Sequence, residues 1–180
     1  MKIIINEDNL KKNEIKEYNT KARAILLNEK EELLIGNYGG TYLLPGGKID
    51  KNEKIIDGLL RELEEETGTY YNDKEVNYLC TIEYFQKNYP KINGKTQNRL
   101  ITTHYYIGKY KEISLDKIKL TENEQNGNFK FELIPLNELE NILMENKNNN
   151  PRNIYFQKEL LAVIDFYKKS KQKKKILIKN

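Results

Sequence analysis

The chain has 180 residues, of which 38% are hydrophobic and 32% are charged, and its formal net charge is +4. This length suits one domain with a sizeable core, and the composition is polar but globular. The positive charge is mild and concentrated near the C-terminus, so it gives little support to a nucleic-acid partner. We expect one domain over residues 1–180, with a peripheral N-terminal extension at 1–20 and a peripheral basic tail at 170–180.

The cysteine content and the hydropathy of the chain indicate the cellular compartment in which the protein works. Cys80 is the only cysteine, which excludes an internal disulfide and a cysteine zinc cluster. The N-terminus lacks the apolar core of a signal peptide, and no apolar run approaches the roughly 20 residues that a membrane span needs. These features predict a cytoplasmic protein without a membrane partner, and we expect a monomer or a homodimer.

The first part of the chain predicts strands that lead to a glycine-rich loop. Residues 21–27 and 32–35 are strand-like runs around a polar turn, which predicts a hairpin. A further short strand then leads into Pro45, Gly46 and Gly47. Glycine permits a positive φ or a close backbone approach, so this loop can bring its amides and carbonyls near a metal or a phosphate.

The next stretch, residues 53–67, has the periodicity of an amphipathic helix. The residues of its apolar face are Ile56, Leu59, Leu60 and Leu63. On the neighbouring face, Glu62, Glu65 and Glu66 are three and four residues apart, a spacing at which like charges destabilise an isolated helix by roughly 0.2–0.5 kcal/mol per pair. Something positive should offset these charges, and clustered carboxylate oxygens suit Mg²⁺.

The remaining strands follow this helix. Residues 75–85 alternate as a strand that carries Cys80, which we interpret as a buried, inert thiol. Residues 86–98 predict a long polar loop, and residues 100–110 predict a strand rich in β-branched and aromatic residues. The only histidine, His104, lies in that strand, and we interpret it as a packing or hydrogen-bonding residue.

The C-terminal third predicts a connection, a strand and two helices. Acidic residues, Glu122 and Glu124, lie in the connection at 120–127, before a strand at 128–134. A helix with Asn137 as its N-cap should run to about residue 145. A last amphipathic helix is predicted over residues 152–169, followed by a frayed basic tail.

The charged and glycine residues of the loop and the central helix follow one ordered pattern. The pattern is Gly47, five residues, Glu53, seven residues, and then Arg61-Glu62-Leu63-Glu64-Glu65-Glu66-Thr67-Gly68. This order and spacing resembles the Nudix hydrolase signature, and every charged and glycine position of the signature is filled. The position after Gly68 is usually aliphatic and here is Thr69, a departure that concerns packing. The resemblance covers roughly residues 20–145.

The resemblance implies an α/β fold, a Nudix-type α/β/α sandwich with a mixed sheet. It further implies Mg²⁺, with Mn²⁺ as a substitute, and hydrolysis of a diphosphate linkage in a nucleoside diphosphate derivative. The implied metal ligands are a backbone oxygen of Gly46 or Gly47 and the carboxylates of Glu62, Glu65, Glu66 and Glu124. The implied catalytic residues are Glu53, Arg61, Glu62 and Glu65. Glu53 and Arg61 would orient the helix carboxylates, and either Glu62 or Glu124, with Glu122 as second choice in the connection, would accept the proton.

The substrate is expected to be a small-molecule nucleotide. ADP-ribose enzymes carry a proline about 15 residues past the signature, where this chain has Tyr84 and Phe85. Because dinucleoside polyphosphate enzymes tend to have a tyrosine near this offset, Tyr84 is the candidate substrate-binding residue. We prefer a MutT-like nucleoside triphosphate pyrophosphohydrolase, with dinucleoside polyphosphate and ADP-ribose-type pyrophosphatases as alternatives. The competing class is a non-catalytic nucleotide-binding Nudix module, although such modules typically lose the glutamates that are intact here.

Overall fold

A computed structural model describes residues 1–91, 93–119, 129–146 and 148–178. The strands of its sheet are β1 (Lys2–Ile5), β2 (Glu17–Leu27), β3 (Glu32–Tyr38), β4 (Thr41–Leu43), β5 (Val76–Pro90), β6 (Thr96–Lys109) and β7 (Lys130–Pro135). The helices are α1 (Ile55–Thr67), α2 (Leu139–Glu145) and α3 (Asn153–Ile178), with short 3₁₀ turns at Lys12–Glu14 and Leu115–Lys117.

The strands form one mixed sheet in the order β1-β5-β6-β2-β3-β4, and β7 pairs with β3. β2 runs parallel to β6, and β1 runs parallel to β5, whereas β5 and β6 are antiparallel. The predicted hairpin of β2 and β3 is confirmed by the antiparallel pairing of Leu27 with Leu33. The strands of this hairpin separate beyond that pair, which leaves room for the loop that follows β4.

Helices cover both faces of the sheet, which confirms the predicted α/β/α sandwich. On one face, Leu59 and Leu63 of α1 are fully buried against Ala22, Ala24 and Leu26 of β2. The other face packs against α2 and α3, and its buried residues include Cys80, Ile82, Leu143, Leu160, Val163 and Ile164. Within the described ranges, none of the helices has the length and apolarity to cross a membrane.

The chain ends contribute more to the fold than the sequence predicts. Residues 1–20, expected to be peripheral, supply β1 and the start of β2, because Ile3 and Ile5 pack against the core and β1 pairs with β5. The last helix, predicted to end at 169, continues to Ile178, so the expected frayed tail is wrong over these residues. The predicted N-cap at Asn137 is also wrong, since α2 begins at Leu139 after Glu138 and has no side-chain cap.

The predicted long loop at residues 86–98 is largely strand. β5 extends to Pro90 and β6 begins at Thr96, so only a short turn separates them. The extension is held by Tyr89, whose ring lies under the Arg99 guanidinium at 3.0 Å from the ring centroid. The ring also meets the Tyr155 ring edge-on, with 5.2 Å between the centroids. These partners are distant in sequence, so the polar residues of the segment did not reveal them.

The regular alternation predicted for residues 75–85 is interrupted by a register shift between Tyr78 and Cys80. Such a bulge adds one residue and reverses which side chains point to each face. Val76 therefore packs on the α1 face, whereas Cys80 and Tyr84 pack on the α3 face. Cys80 is fully buried, as predicted.

Candidate active site

The loop between β4 and α1 lies against β2 in the gap of the hairpin. The Ala24 amide donates to the Pro45 carbonyl at 2.9 Å, and the Ala22 amide donates to the Gly47 carbonyl at 3.0 Å. Gly46 has a φ of +115°, and a β-carbon there would lie 2.3 Å from the Ala22 carbonyl oxygen. Only glycine fits this close approach. None of the described residues donates a hydrogen bond to the Gly46 carbonyl, which therefore keeps its acceptor capacity.

Packing at the C-terminal end of α1 fixes the helix against the segment that follows β6. Gly68 ends the helix in a left-handed conformation with φ +65°, and its amide donates to the Glu64 carbonyl at 2.9 Å. A β-carbon at Gly68 would lie 2.1 Å from the Ser114 carbonyl oxygen. Thr69 donates its hydroxyl to the Glu112 carbonyl at 2.7 Å, so the unusual threonine makes a polar contact instead of an aliphatic one.

Arg61 is the centre of the charged network. Its Nε and Nη2 donate to the two oxygens of Glu53 at 2.9 and 3.1 Å, and Nη1 donates to Glu62 and Glu65 at 3.0 Å each. Nη2 also donates to the Lys48 carbonyl at 3.2 Å. These hydrogen bonds lower the pKa of the Glu53 carboxyl and raise the pKa of Arg61. The positive charge expected to offset the clustered glutamates is therefore supplied by an arginine of the same helix.

Glu62 is held between Arg61 and the glycine loop. Its side chain is only 18% exposed, and a β-carbon at Gly47 would lie 2.2 Å from its Oε2 atom. Burial raises the pKa of the Glu62 carboxyl, and the hydrogen bond from Arg61 opposes this shift only in part. Because Gly47 has no β-carbon, the space beside this carboxylate stays open. A carboxylate with a raised pKa in such a position is suited to accepting a proton in the metal-free chain.

Glu66 connects the helix to the loop directly. The Gly46 amide donates to Glu66 Oε2 at 2.7 Å, so the carboxylate is fixed at the residue whose carbonyl keeps its acceptor capacity. Glu66 also borders a largely apolar cleft, whose other lining residues include Ile113, Phe129 and Phe131.

The structure thus brings Glu53, Arg61, Glu62, Glu65 and Glu66 together beside the loop of Gly46 and Gly47. Among the described residues, no group of three acidic, histidine or cysteine side chains converges closely enough to hold a metal ion. The reason is visible in the hydrogen bonds, because Arg61 holds Glu62 and Glu65 while the Gly46 amide holds Glu66. The donor set itself consists of carboxylate and carbonyl oxygens, which are the ligands that Mg²⁺ prefers.

Other predicted site residues lie elsewhere. Glu122 and Glu124 lie outside the described residues. The side chain of Tyr84 is 5% exposed and packs beside Tyr155 on the α3 face, so it does not join the acidic cluster. His104 shares a hydrogen bond with Thr81 at 3.1 Å, the structural role expected for it.

Two basic residues near the loop were missed by the sequence analysis. Lys21 and Arg23 alternate along β2 on the face opposite Ala22 and Ala24, and Arg23 donates a hydrogen bond to the Leu44 carbonyl. The sequence feature that could have identified them is the presence of two cations on one face of an otherwise apolar strand. That face is partly covered by α3, so both cations are partly buried and line a cleft beside α3.

Comparison with known proteins agrees with this arrangement. A family model described as the NUDIX domain matches residues 17–157, and the chain therefore belongs to the Nudix hydrolase family. Comparison with curated protein sequences gave no match. The family assignment rests on the family model and on the ordered residues of the loop and α1.

Several solved structures share the fold. A MutT protein from Methanosarcina mazei is 16% identical with a TM-score of 0.53, and 89% of this chain and 97% of that chain are covered. A MutT Nudix hydrolase from Burkholderia pseudomallei is 17% identical with a TM-score of 0.51, with 79% and 98% covered. The Nudix domain of NrtR from Shewanella oneidensis, solved with ADP ribose, is 18% identical with a TM-score of 0.54, with 91% and 94% covered. At these identities the likeness shows the fold.

Proposed function

We propose that the chain is a Mg²⁺-dependent hydrolase of a diphosphate linkage in a nucleoside diphosphate derivative, with a nucleoside triphosphate as the preferred substrate. The observation that carries this proposal is the placement of Glu62 and Glu66 against the backbone of Gly47 and Gly46. The Gly46 carbonyl, which accepts no hydrogen bond from the described residues, supplies a further hard oxygen.

The residues that would hold the metal are Gly46, through its carbonyl, and Glu62, Glu65 and Glu66, through their carboxylates. Mg²⁺ bound there supplies positive charge that neutralises the diphosphate and activates water. The Gly47 carbonyl is less suited than that of Gly46, because it already accepts the Ala22 amide. Glu124 stays a proposed ligand or base.

The reaction requires a proton acceptor and an ordered set of carboxylates. The oxygen of a water molecule forms a bond to phosphorus, the bond from phosphorus to the bridging oxygen breaks, and the water proton passes to a carboxylate. Glu62 is the proposed acceptor because its carboxylate lies against Gly47, beside the position proposed for the metal. Arg61 and Glu53 fix the positions of the helix carboxylates and take no direct part in bond making.

The test is a substrate panel of nucleoside triphosphates, dinucleoside polyphosphates and ADP-ribose, each with Mg²⁺ and with excess chelator. ADP-ribose belongs in the panel because the NrtR domain of similar fold was solved with it. We expect release of pyrophosphate from a triphosphate with Mg²⁺ and no release with chelator. Glu66→Gln protein purified in parallel controls for contaminating hydrolases. If no compound in the panel is cleaved with Mg²⁺, the proposed function is overturned.

A further inference from the structure

Lys21 lies in a cleft between β2, β4 and α3, on the opposite side of the sheet from α1. The other residues that line this cleft are Arg23, Tyr42, Leu43, Leu44, Tyr105, Phe156, Glu159 and Leu160. We propose that Lys21 is a substrate-binding residue whose ammonium contacts a phosphate oxygen of the nucleotide, with Arg23 beside it. This inference rests on the proposed function and names the residue that positions the substrate's phosphate chain.

The ammonium of Lys21 has neither a hydrogen-bond nor an ion-pair partner within the described part of the chain. It lies over the ring of Phe156, with 5.6 Å from Nζ to the ring centroid. In the same part of the chain, every side-chain nitrogen or oxygen that is fully enclosed has a hydrogen-bond partner. The ammonium is therefore partly covered but not fully enclosed, and its open side faces the cleft.

The carboxylates within electrostatic reach of Lys21 are already engaged by other donors. Glu159 accepts hydrogen bonds from the Thr103 hydroxyl at 2.5 Å and from the Tyr105 hydroxyl at 2.8 Å. Glu62 accepts one from Arg61 at 3.0 Å. Neither carboxylate makes an ion pair with the lysine, so its charge is available to an anion from outside the chain.

The charges around Lys21 favour an anionic ligand. Burial and the neighbouring cations Arg23 and Arg99 lower the pKa of Lys21 to about 8, against the opposing effect of Glu159 and Glu62. The lysine is still mostly protonated at pH 7. A partly desolvated cation beside two further guanidinium groups carries an electrostatic cost, and a phosphate that binds there offsets this cost.

The position of the cleft connects it to the acidic cluster. Arg23 donates a hydrogen bond to the Leu44 carbonyl, and Leu44 directly precedes the loop of Pro45, Gly46 and Gly47. Lys21 itself forms an isolated β-bridge with Lys48 at the far end of that loop. A diphosphate at the loop can therefore have one phosphate near the carboxylates and the other near Lys21, which binds phosphate as a point charge.

The experiment compares Lys21→Met, Lys21→Arg and a matched control, Lys109→Met, whose lysine is exposed and paired with Glu29. For the best substrate of the panel, kcat and KM are measured at fixed Mg²⁺ and salt. Affinity for α,β-methylene-ADP is measured by calorimetry with Mg²⁺. Melting curves with Mg²⁺ alone report the metal site, which Lys21 does not contact.

Lys21→Met should raise KM and weaken α,β-methylene-ADP binding by at least about tenfold, equal to about 1.4 kcal/mol, with a smaller change in kcat. Lys21→Arg should restore most of the affinity, and Lys109→Met should match the wild type.

Unchanged affinity in a folded Lys21→Met variant would overturn the inference, as would failure of the wild type to bind the analogue. If Lys21→Met does not fold, Lys21→Gln takes its place in the same comparison. A wild type that binds the analogue through Lys21 but cleaves nothing overturns the proposed function and leaves this inference standing.

Discussion

Arg61 and Glu53 form a two-point ion pair, with Nε 2.9 Å from Oε1 and Nη2 3.1 Å from Oε2. Glu53 lies just before α1, and its Oε2 atom also accepts the Asp50 amide at 2.9 Å. A β-carbon at Gly58 would lie 2.6 Å from the same oxygen, so the glycine makes room for the pair on the helix. The pair fixes the loop to the helix that carries the carboxylates.

Arg61→Lys should therefore reduce activity while the protein stays folded. A lysine cannot reproduce the planar, two-point contact, and its three donors cannot replace the five hydrogen bonds that Arg61 makes. Loss of such an orienting residue typically costs about 10- to 100-fold in activity. The measurement is kcat/KM on the best substrate, with Glu53→Gln and the double variant completing a cycle. Additive effects of the two single changes would show that the pair does not act as a unit.

Glu66→Gln should lower turnover by orders of magnitude, because a charged oxygen ligand is lost. The glutamine oxygen can still accept the Gly46 amide, so the loop should keep its position. The matched control is Glu64→Gln, which removes the same charge from an exposed position of the same helix. Equal activities of the two variants would contradict the assignment of Glu66 as a ligand.

Local signals predicted α1 and its faces well. Leu59 and Leu63 are fully buried, and the partly buried Ile56 and Leu60 pack against the same cluster, because helical periodicity depends on residues that are near in sequence. Gly68 ends the helix in a left-handed conformation, which glycine adopts without steric cost.

The errors arose where distant contacts decide the structure. The hairpin extension depends on stacking of Arg99 on Tyr89, a contact that no local pattern contains. The bulge after Tyr78 changes the face of the sheet to which Tyr84 points. The number of residues between the signature and Tyr84 therefore did not predict which residues surround the tyrosine. No local pattern singled out Lys21, because the packing of α3 on its face of the sheet forms the cleft around it.

Gly47→Ala should reduce activity with little loss of stability. The new methyl group would lie 2.2 Å from Glu62 Oε2, so the carboxylate must move away, and a flexible side chain can do this at low cost. We expect kcat/KM to fall at least about tenfold, as for other disturbances of an orienting contact. The control is Gly94→Asn, in the turn after β5, where an added β-carbon meets nothing within 4 Å among the described residues and asparagine tolerates the positive φ. Wild-type kinetics for Gly47→Ala would show that Glu62 does not need this position.

His104 should make the folded protein less stable in mild acid. Burial and the nearby Lys2 lower the pKa of His104 below its ordinary value of 6.5, so the folded state favours the neutral ring. A lowered pKa contributes stability that is present above the unfolded pKa and lost as pH falls through the folded pKa. His104 is the only histidine, so its NMR titration can be assigned directly. A folded pKa at or above 6.5, or an unchanged acid slope of stability in His104→Gln, would contradict this prediction.

Glu62→Gln should have opposite effects on stability without and with metal. Without metal, burial gives the folded carboxyl a raised pKa, so its contribution to stability is fully present below the unfolded pKa and is lost as pH rises through the folded pKa. At pH 7 the neutral glutamine should therefore stabilise the protein, by less than about 1 kcal/mol, the size of two like-charge helical contacts. That corresponds to a rise in melting temperature of a few degrees at most.

Saturating Mg²⁺ should reverse the order of stability of wild type and Glu62→Gln, because a ligand that binds only the folded state stabilises it and the variant has lost one oxygen ligand. The measurement is a set of melting curves for wild type and Glu62→Gln, in chelator and in excess Mg²⁺, at pH 7 and near pH 4.5, where the metal-free difference should shrink. Equal Mg²⁺ shifts in both proteins would mean that Glu62 binds no metal and that its carboxylate serves only the network of Arg61.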